Sequence, residues 1–135
     1  MKALEELNIA DYMASVTISM FEDKRLFLNA VCHVRNAILF AIKDFYKRKY
    51  PDINTFPETI IEDFISNETE FKKYFKMIED INSFYKNSRG QSIKIKKNEK
   101  YVVISEDYKI SAMTLEQLKE YIQLAREFIN SINKN

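Results

Sequence analysis

The sequence predicts a mainly α fold: an up-and-down bundle of about four long helices, with one short helix and a small β-hairpin before the last helix. Three observations carry this. Apolar residues recur at steps of three and four along most of the chain, which is the spacing of one helical face. Only one Gly and two Pro occur among 135 residues, whereas Gly is usually about 7% of a chain and β-rich folds need it in their tight turns. Hydrophobic residues make up 46% and charged residues 30%, enough for one core under a solvated surface. Domains commonly run to about 100–150 residues, so residues 1–135 are read as one domain, with the hairpin inserted at about 91–105.

The first helix is predicted from Leu4, Leu7, Ala10, Met13 or Ala14, Thr17 and Met20. Asp23 is placed to cap the second, which carries Leu26, Ala30, Val31, Val34, Ala37, Ile38, Ala41, Ile42 and Phe45. Pro51 disfavours helical geometry at Tyr50 and ends that helix, and Lys47, Arg48 and Lys49 suit its negative end. Thr55-Phe-Pro-Glu58 reads as a capping box opening a short helix to about Ser66. Asn67-Glu-Thr-Glu70 restarts a helix whose face holds Phe71, Tyr74, Phe75, Ile78, Ile81, Phe84 and Tyr85. That aromatic stripe has core spacing, so it is expected inside rather than as a base-stacking platform. Gly90 is placed to end it in a left-handed conformation. Ser92-Ile-Lys-Ile-Lys alternates with period two, Tyr101-Val-Val-Ile is β-branched and aromatic, and Lys97-Asn-Glu-Lys100 turns between them. Thr114-Leu-Glu-Gln117 is a capping box for the last helix, with Leu115, Leu118, Ile122, Ala125, Ile129 and Ile132 on its apolar face.

Several chemistries are excluded by what the sequence lacks. A single Gly rules out the Rossmann fingerprint and the P-loop. One His and one Cys cannot build a Cys/His zinc site within a chain, and one Cys allows no intrachain disulfide. No Glu-x-x-His and no Gly-x-Ser-x-Gly occurs. No metal and no cofactor is expected. The N-terminal residues carry acids where a signal peptide needs an apolar run, and charges interrupt the apolar stretches. The expected setting is cytoplasmic, away from membranes.

The second helix is apolar around most of its circumference, so burial on most sides by its own chain or by a second copy is expected, and a homodimer with it. Arg25, Asn29 and His33 nevertheless recur on it at steps of four, Asn36 continues the row, and Arg35 lies beside it. This ridge suits a nucleotide or RNA phosphate, which Arg grips with a planar fork and beside which His can move a proton. A solvated face, or a buried polar network that sets helix register, is the stronger account of the same spacing. Residues 86–100 hold six bases against one acid, among them Arg89, Lys94, Lys96, Lys97 and Lys100, so the hairpin can track a nucleic-acid backbone. Lysines on a hairpin also serve simply to block edge pairing. Residues 43–49 are basic as well, and residues 52–70 hold six acids and no base.

The stretch Leu26-Phe-Leu-Asn-Ala-Val-Cys-His-Val-Arg-Asn-Ala-Ile-Leu-Phe-Ala-Ile-Lys-Asp-Phe-Tyr46 resembles the second helix of HEPN domains, the higher-eukaryote and prokaryote nucleotide-binding family. Leu115-Glu-Gln-Leu-Lys-Glu-Tyr-Ile-Gln-Leu-Ala-Arg-Glu-Phe-Ile129 resembles that family's last helix, and a composition rich in Lys, Ile and Asn suits an archaeal member. The resemblance implies a helical bundle, often dimeric. It also implies partnership with a nucleotidyltransferase-like protein in a toxin–antitoxin or stress setting, or ribonuclease activity. Ribonuclease members carry Arg, four to six residues, then His. Positions 40–42 after Arg35 hold Phe40, Ala41 and Ile42, and His33 is one position too far from Arg25. The expectation is therefore a non-catalytic binding protein; the alternatives are an atypical metal-independent ribonuclease using Arg25 and His33, and nucleic-acid binding through the hairpin.

Overall fold

A computed structural model describes residues 2–21 and 23–134. The chain is mainly helical, with a small antiparallel sheet before the last helix. In order come α1 (Lys2–Tyr12), a π-helical segment (Met13–Thr17), α2 (Ile18–Phe21), α3 (Lys24–Lys49), α4 (Ile60–Asn67), a 3-10 segment (Thr69–Tyr74), α5 (Phe75–Asn87), β1 (Ile93–Lys97), β2 (Lys100–Ile104), β3 (Ile110–Thr114) and α6 (Leu115–Asn133).

α3 is the axis of the molecule. Nine of its side chains, from Phe27 to Phe45, are buried. Neighbours α1, α4, α5 and α6 all pack on it. By length and apolarity it is the one described helix that could cross a bilayer, a property it shares with core helices of folded domains. Its own chain covers it on several sides and leaves Leu26, Leu28, Leu39 and Phe40 half-buried. The local signals at its ends act as expected. Asp23 is extended (φ −81°, ψ 125°) and its carboxylate accepts the Arg25 N–H at 2.8 Å. At the other end the Lys47 ammonium donates to the Ile53 carbonyl at 2.6 Å and ties down the chain after Pro51.

Around the C-terminal half of α3 the core is aromatic. Phe64 of α4 is fully buried, and its ring lies 5.5 Å from Phe71, 5.7 Å from Phe128 and 5.9 Å from Phe45. Glu68, buried just beyond α4, accepts from the Lys49 ammonium at 3.2 Å and the Tyr46 hydroxyl at 3.4 Å. Burial, then the Glu68 charge and hydrogen bond, pushes the Tyr46 phenol up to about 12.

The structure departs from the expected bundle in four places. The first helix is not uniform, because its middle widens into π turns, where the Ser19 hydroxyl reaches the Ala14 carbonyl five residues back at 3.2 Å. The short helix starts at Ile60 rather than near Thr55: Pro57 sits in a turn whose carbonyl accepts the Ile60 N–H at 3.2 Å. Phe71 has non-helical torsions (φ −102°, ψ 16°), so α5 proper begins only at Phe75. Last, the hairpin is a three-stranded meander in the order β1-β2-β3 that extends to Thr114. Asn98 supplies the expected positive φ (57°) in the first turn. The second turn uses Tyr108 at φ 66°, with its N–H bonded to the Ser105 carbonyl at 2.9 Å. A side chain seldom tolerates that conformation, and without Gly there the sequence carries no turn signal. Gly90 has φ 65°, and the Thr114–Gln117 capping box is formed in both directions at 3.0 and 2.9 Å.

The sheet is held by its inner face. Tyr101 stacks on Phe27 of α3 with ring centres 3.9 Å apart, and Val103 and Met113 are buried beside it. Because side chains alternate, the Ile residues of β1 then face outward while Lys94 and Lys96 share the inner face with Tyr101 and Val103.

Phe64→Ala should be the most damaging single truncation of the aromatic core. It removes a ring held by three helices, and a loss of about 3–5 kcal/mol is expected. Denaturant unfolding followed by circular dichroism checks this, with the exposed Phe21→Ala as a near-neutral control.

Candidate functional site

An open groove of about 620 Å³ lies between α3, the segment before α4, and the end of α5. Arg35, Leu39 and Lys43 reach it from α3, where steps of four place them on one face. Phe56 and Glu58 form the opposite rim, and Tyr85, Lys86 and Arg89 close it from α5 and the turn that follows. Four bases thus stand against one carboxylate in the lining, with two aromatic rings among them.

The bases are held by specific partners. The Arg35 guanidinium lies 4.4 Å from the centre of the Tyr85 ring, and its Nε donates to Asn82 Oδ1 at 3.3 Å. Asn82 is buried and donates onward to Glu62 Oε1 at 3.3 Å, an oxygen that also accepts from Lys86. Arg89 donates to the Tyr85 hydroxyl and sits 5.3 Å from the same ring. Lys43 lies 5.9 Å from the Phe56 ring. Arg35 is thereby oriented by a ring on one side and an amide on another, an arrangement that presents its remaining N–H groups to a ligand without further ordering. A planar base can stack on the exposed parts of Phe56 or Tyr85 while the cations meet phosphate oxygens.

The predicted polar ridge does not come together as a site. Arg25 bonds the Asp23 carboxylate at 3.3 Å, Asn29 is exposed, and Asn36 donates to Cys32 Sγ at 4.0 Å. His33 Nδ1 meets Glu6 Oε2 of α1 in a short, partly buried contact. Arg25 and His33, the pair required by the ribonuclease alternative, are each engaged with a carboxylate of their own. Only Arg35 of the five enters the groove. Burial raises the Cys32 thiol and so keeps it a poor nucleophile. Among the described residues no cluster of three or more His, Cys, Asp or Glu could hold a metal ion.

The hairpin bases also divide. Arg89 belongs to the groove. Lys94 and Lys96 share the inner face, where Lys96 lies 5.6 Å from the Tyr101 ring, while Lys97 and Lys100 end the outer face. They do not form one continuous basic track. Sequence reasoning missed Lys43, Asn82, Tyr85 and Lys86 as groove residues. The signal for Asn82 was present: an amide in the row Ile78, Ile81, Asn82, Tyr85 of an otherwise apolar face. Tyr85 was read as core along with the rest of its stripe, but it is half-buried at the rim.

The chain matches no known family model, and no curated protein or solved structure is significantly similar to it.

Glu62 gives the groove a measurable acid response. Burial alone would raise its carboxyl, but the hydrogen bond from Lys86, a backbone bond and Asn82 outweigh this and hold it below its ordinary 4.5. A carboxyl lowered by folding stabilises the native state above its unfolded pKa, and that contribution is lost as pH falls through the folded value. Thermal melts from about pH 6 to about pH 3 should therefore fall more steeply for the wild type than for Glu62→Gln.

Proposed function

We propose that this protein is a non-catalytic, HEPN-like binding module whose groove between α3 and α5 takes a phosphorylated ligand, either a nucleotide or a short segment of single-stranded RNA. The observation that carries the reading is the Arg35–Tyr85–Arg89 cluster beside Lys43 and Lys86: two guanidiniums on one ring, in a groove of nucleotide size with a second ring at its rim. Four cations and two rings in one lining support phosphate and base recognition as its main chemistry. The resemblance to HEPN domains supports the same ligand class. It also supplies the expectation of a nucleotidyltransferase-like partner and a toxin–antitoxin or stress setting in the cytoplasm.

Fluorescence anisotropy with a labelled RNA of about ten nucleotides, competed by ATP, tests the reading. Arg35→Ala and Arg89→Ala should each weaken binding at least about tenfold, or roughly 1.4 kcal/mol. Each should also lower the salt slope by about 0.7 for every phosphate that no longer meets a cation. His33→Ala should bind like the wild type, and neither protein should cleave the RNA. Cleavage that disappears in His33→Ala, or binding indifferent to Arg35, would refute the proposal.

A further inference from the structure

The sheet carries an apolar surface on the side away from the helices. Ile93 and Ile95 of β1, Val102 and Ile104 of β2, and Ile110 and Ala112 of β3 lie side by side in the register of the ladder. Ile110 is 68% exposed, and Tyr108, in its left-handed conformation at the adjoining turn, is 84% exposed. A solvated sheet face is normally polar, so a continuous row of Ile residues with an exposed ring at its end marks a contact surface.

The charges at the two ends of the face indicate what covers it. The β1–β2 turn end holds Lys97 and Lys100 with Glu99; the opposite end holds Glu106, which accepts the Gln91 N–H at 2.9 Å, and Asp107, which pairs with Lys109 at 3.6 Å. Bases and acids are equal in number, so the face as a whole attracts neither an anionic bilayer nor an acidic segment. They are segregated along the strands, however, so the face is complementary to itself turned end for end. We infer that two copies of this chain pack sheet face against sheet face about a two-fold axis that crosses the strands. Each basic turn end then meets the partner's acidic end, an isologous contact. Edge-to-edge pairing is disfavoured instead: the Lys94 carbonyl of β1 already accepts from Lys24 at 3.0 Å, and a second β1 there would set Lys beside Lys.

Three five-residue strands cover on the order of 250 Å². That is well short of the about 800 Å² per partner of a standard interface, so the pair forms only at high concentration. This site is separate from the groove, and the inference does not depend on what the groove binds.

Sedimentation velocity at low salt tests it, from about 10 μM to about 1 mM, the range set by so small an interface. The weight-average mass of the wild type should rise with concentration from 16.1 kDa towards twice that value. Ile110→Lys should remain monomeric. Lys100→Glu and Asp107→Lys should each remain monomeric alone and associate when mixed, because the mixture restores opposite charges at both ends. Circular dichroism confirms that each variant is folded, and Arg35→Ala should associate like the wild type. A wild type that stays at 16.1 kDa throughout, an Ile110→Lys protein that still dimerises, or folded charge variants that fail to associate on mixing would each overturn the inference. So would a monomeric wild type that cosediments with phosphatidylserine vesicles while Ile110→Lys does not, which would assign the face to a membrane.

Discussion

Everything in this fold follows from the need to cover α3. A helix of 26 residues that is apolar around most of its circumference cannot lie on a surface. The chain therefore packs against its apolar sides, with α1 on one side, α5 and α6 on others, and α4 at its C-terminal end, and leaves Asn29 and the charged ends exposed. The sheet closes the N-terminal end through the stack of Tyr101 on Phe27. Polar side chains on such a helix have only two outcomes. They can find a partner in a neighbouring element, as His33 does in Glu6, or they can emerge where two neighbours fail to meet. The groove is the second case: α5 and the segment before α4 leave a gap over Arg35, Leu39 and Lys43. The site is thus a consequence of how the jacket is cut, and α3 supplies its bases from a rigid element.

The signals that sequence reasoning reads correctly are those settled within a few residues. The Asp23 cap, the Gly90 and Asn98 torsions and the Thr114–Gln117 box each rest on one or two local hydrogen bonds or a single permitted φ, so composition and spacing suffice. The failures lie where distant packing decides. Thr55-Phe-Pro-Glu58 has the letters of a capping box, yet Phe56 turns towards the groove and the helix waits for Ile60. The third strand was hidden because Tyr108 occupies a torsion normally given to Gly. The polar ridge of α3 was a correct statement about spacing, but whether a ridge is a site depends on what faces it. Here α1 faces His33, and Asp23 holds Arg25.

The members of the groove are fixed through one another. Arg35 is constrained by Tyr85 and Asn82, and Asn82 in turn by Glu62. A chain of this kind lowers the entropy lost on gripping a planar anion, which is what recognition needs. The one imidazole of the chain is turned to α1 and takes no part in the groove.

The sheet shows how one structural choice redistributes charge. A strand that alternates Lys and Ile can present either set to the core, and a shift of one residue exchanges them. The Phe27–Tyr101 stack decides it: Tyr101 must face α3, its cross-strand partner Lys96 must follow, and the Ile residues are driven outward. Lysines that suggested a basic surface are thereby divided between the two faces, and an apolar surface appears where a basic one was expected. The acidic end of that surface adjoins the groove, since Glu106 accepts the Gln91 N–H at 2.9 Å, two residues beyond Arg89. In the end-for-end pair, the partner's Lys97 and the partner's Lys100 arrive at that same end. There they meet Glu106 and Asp107, so their charge is taken up by the contact between the copies and the groove keeps the cations it has in the single chain.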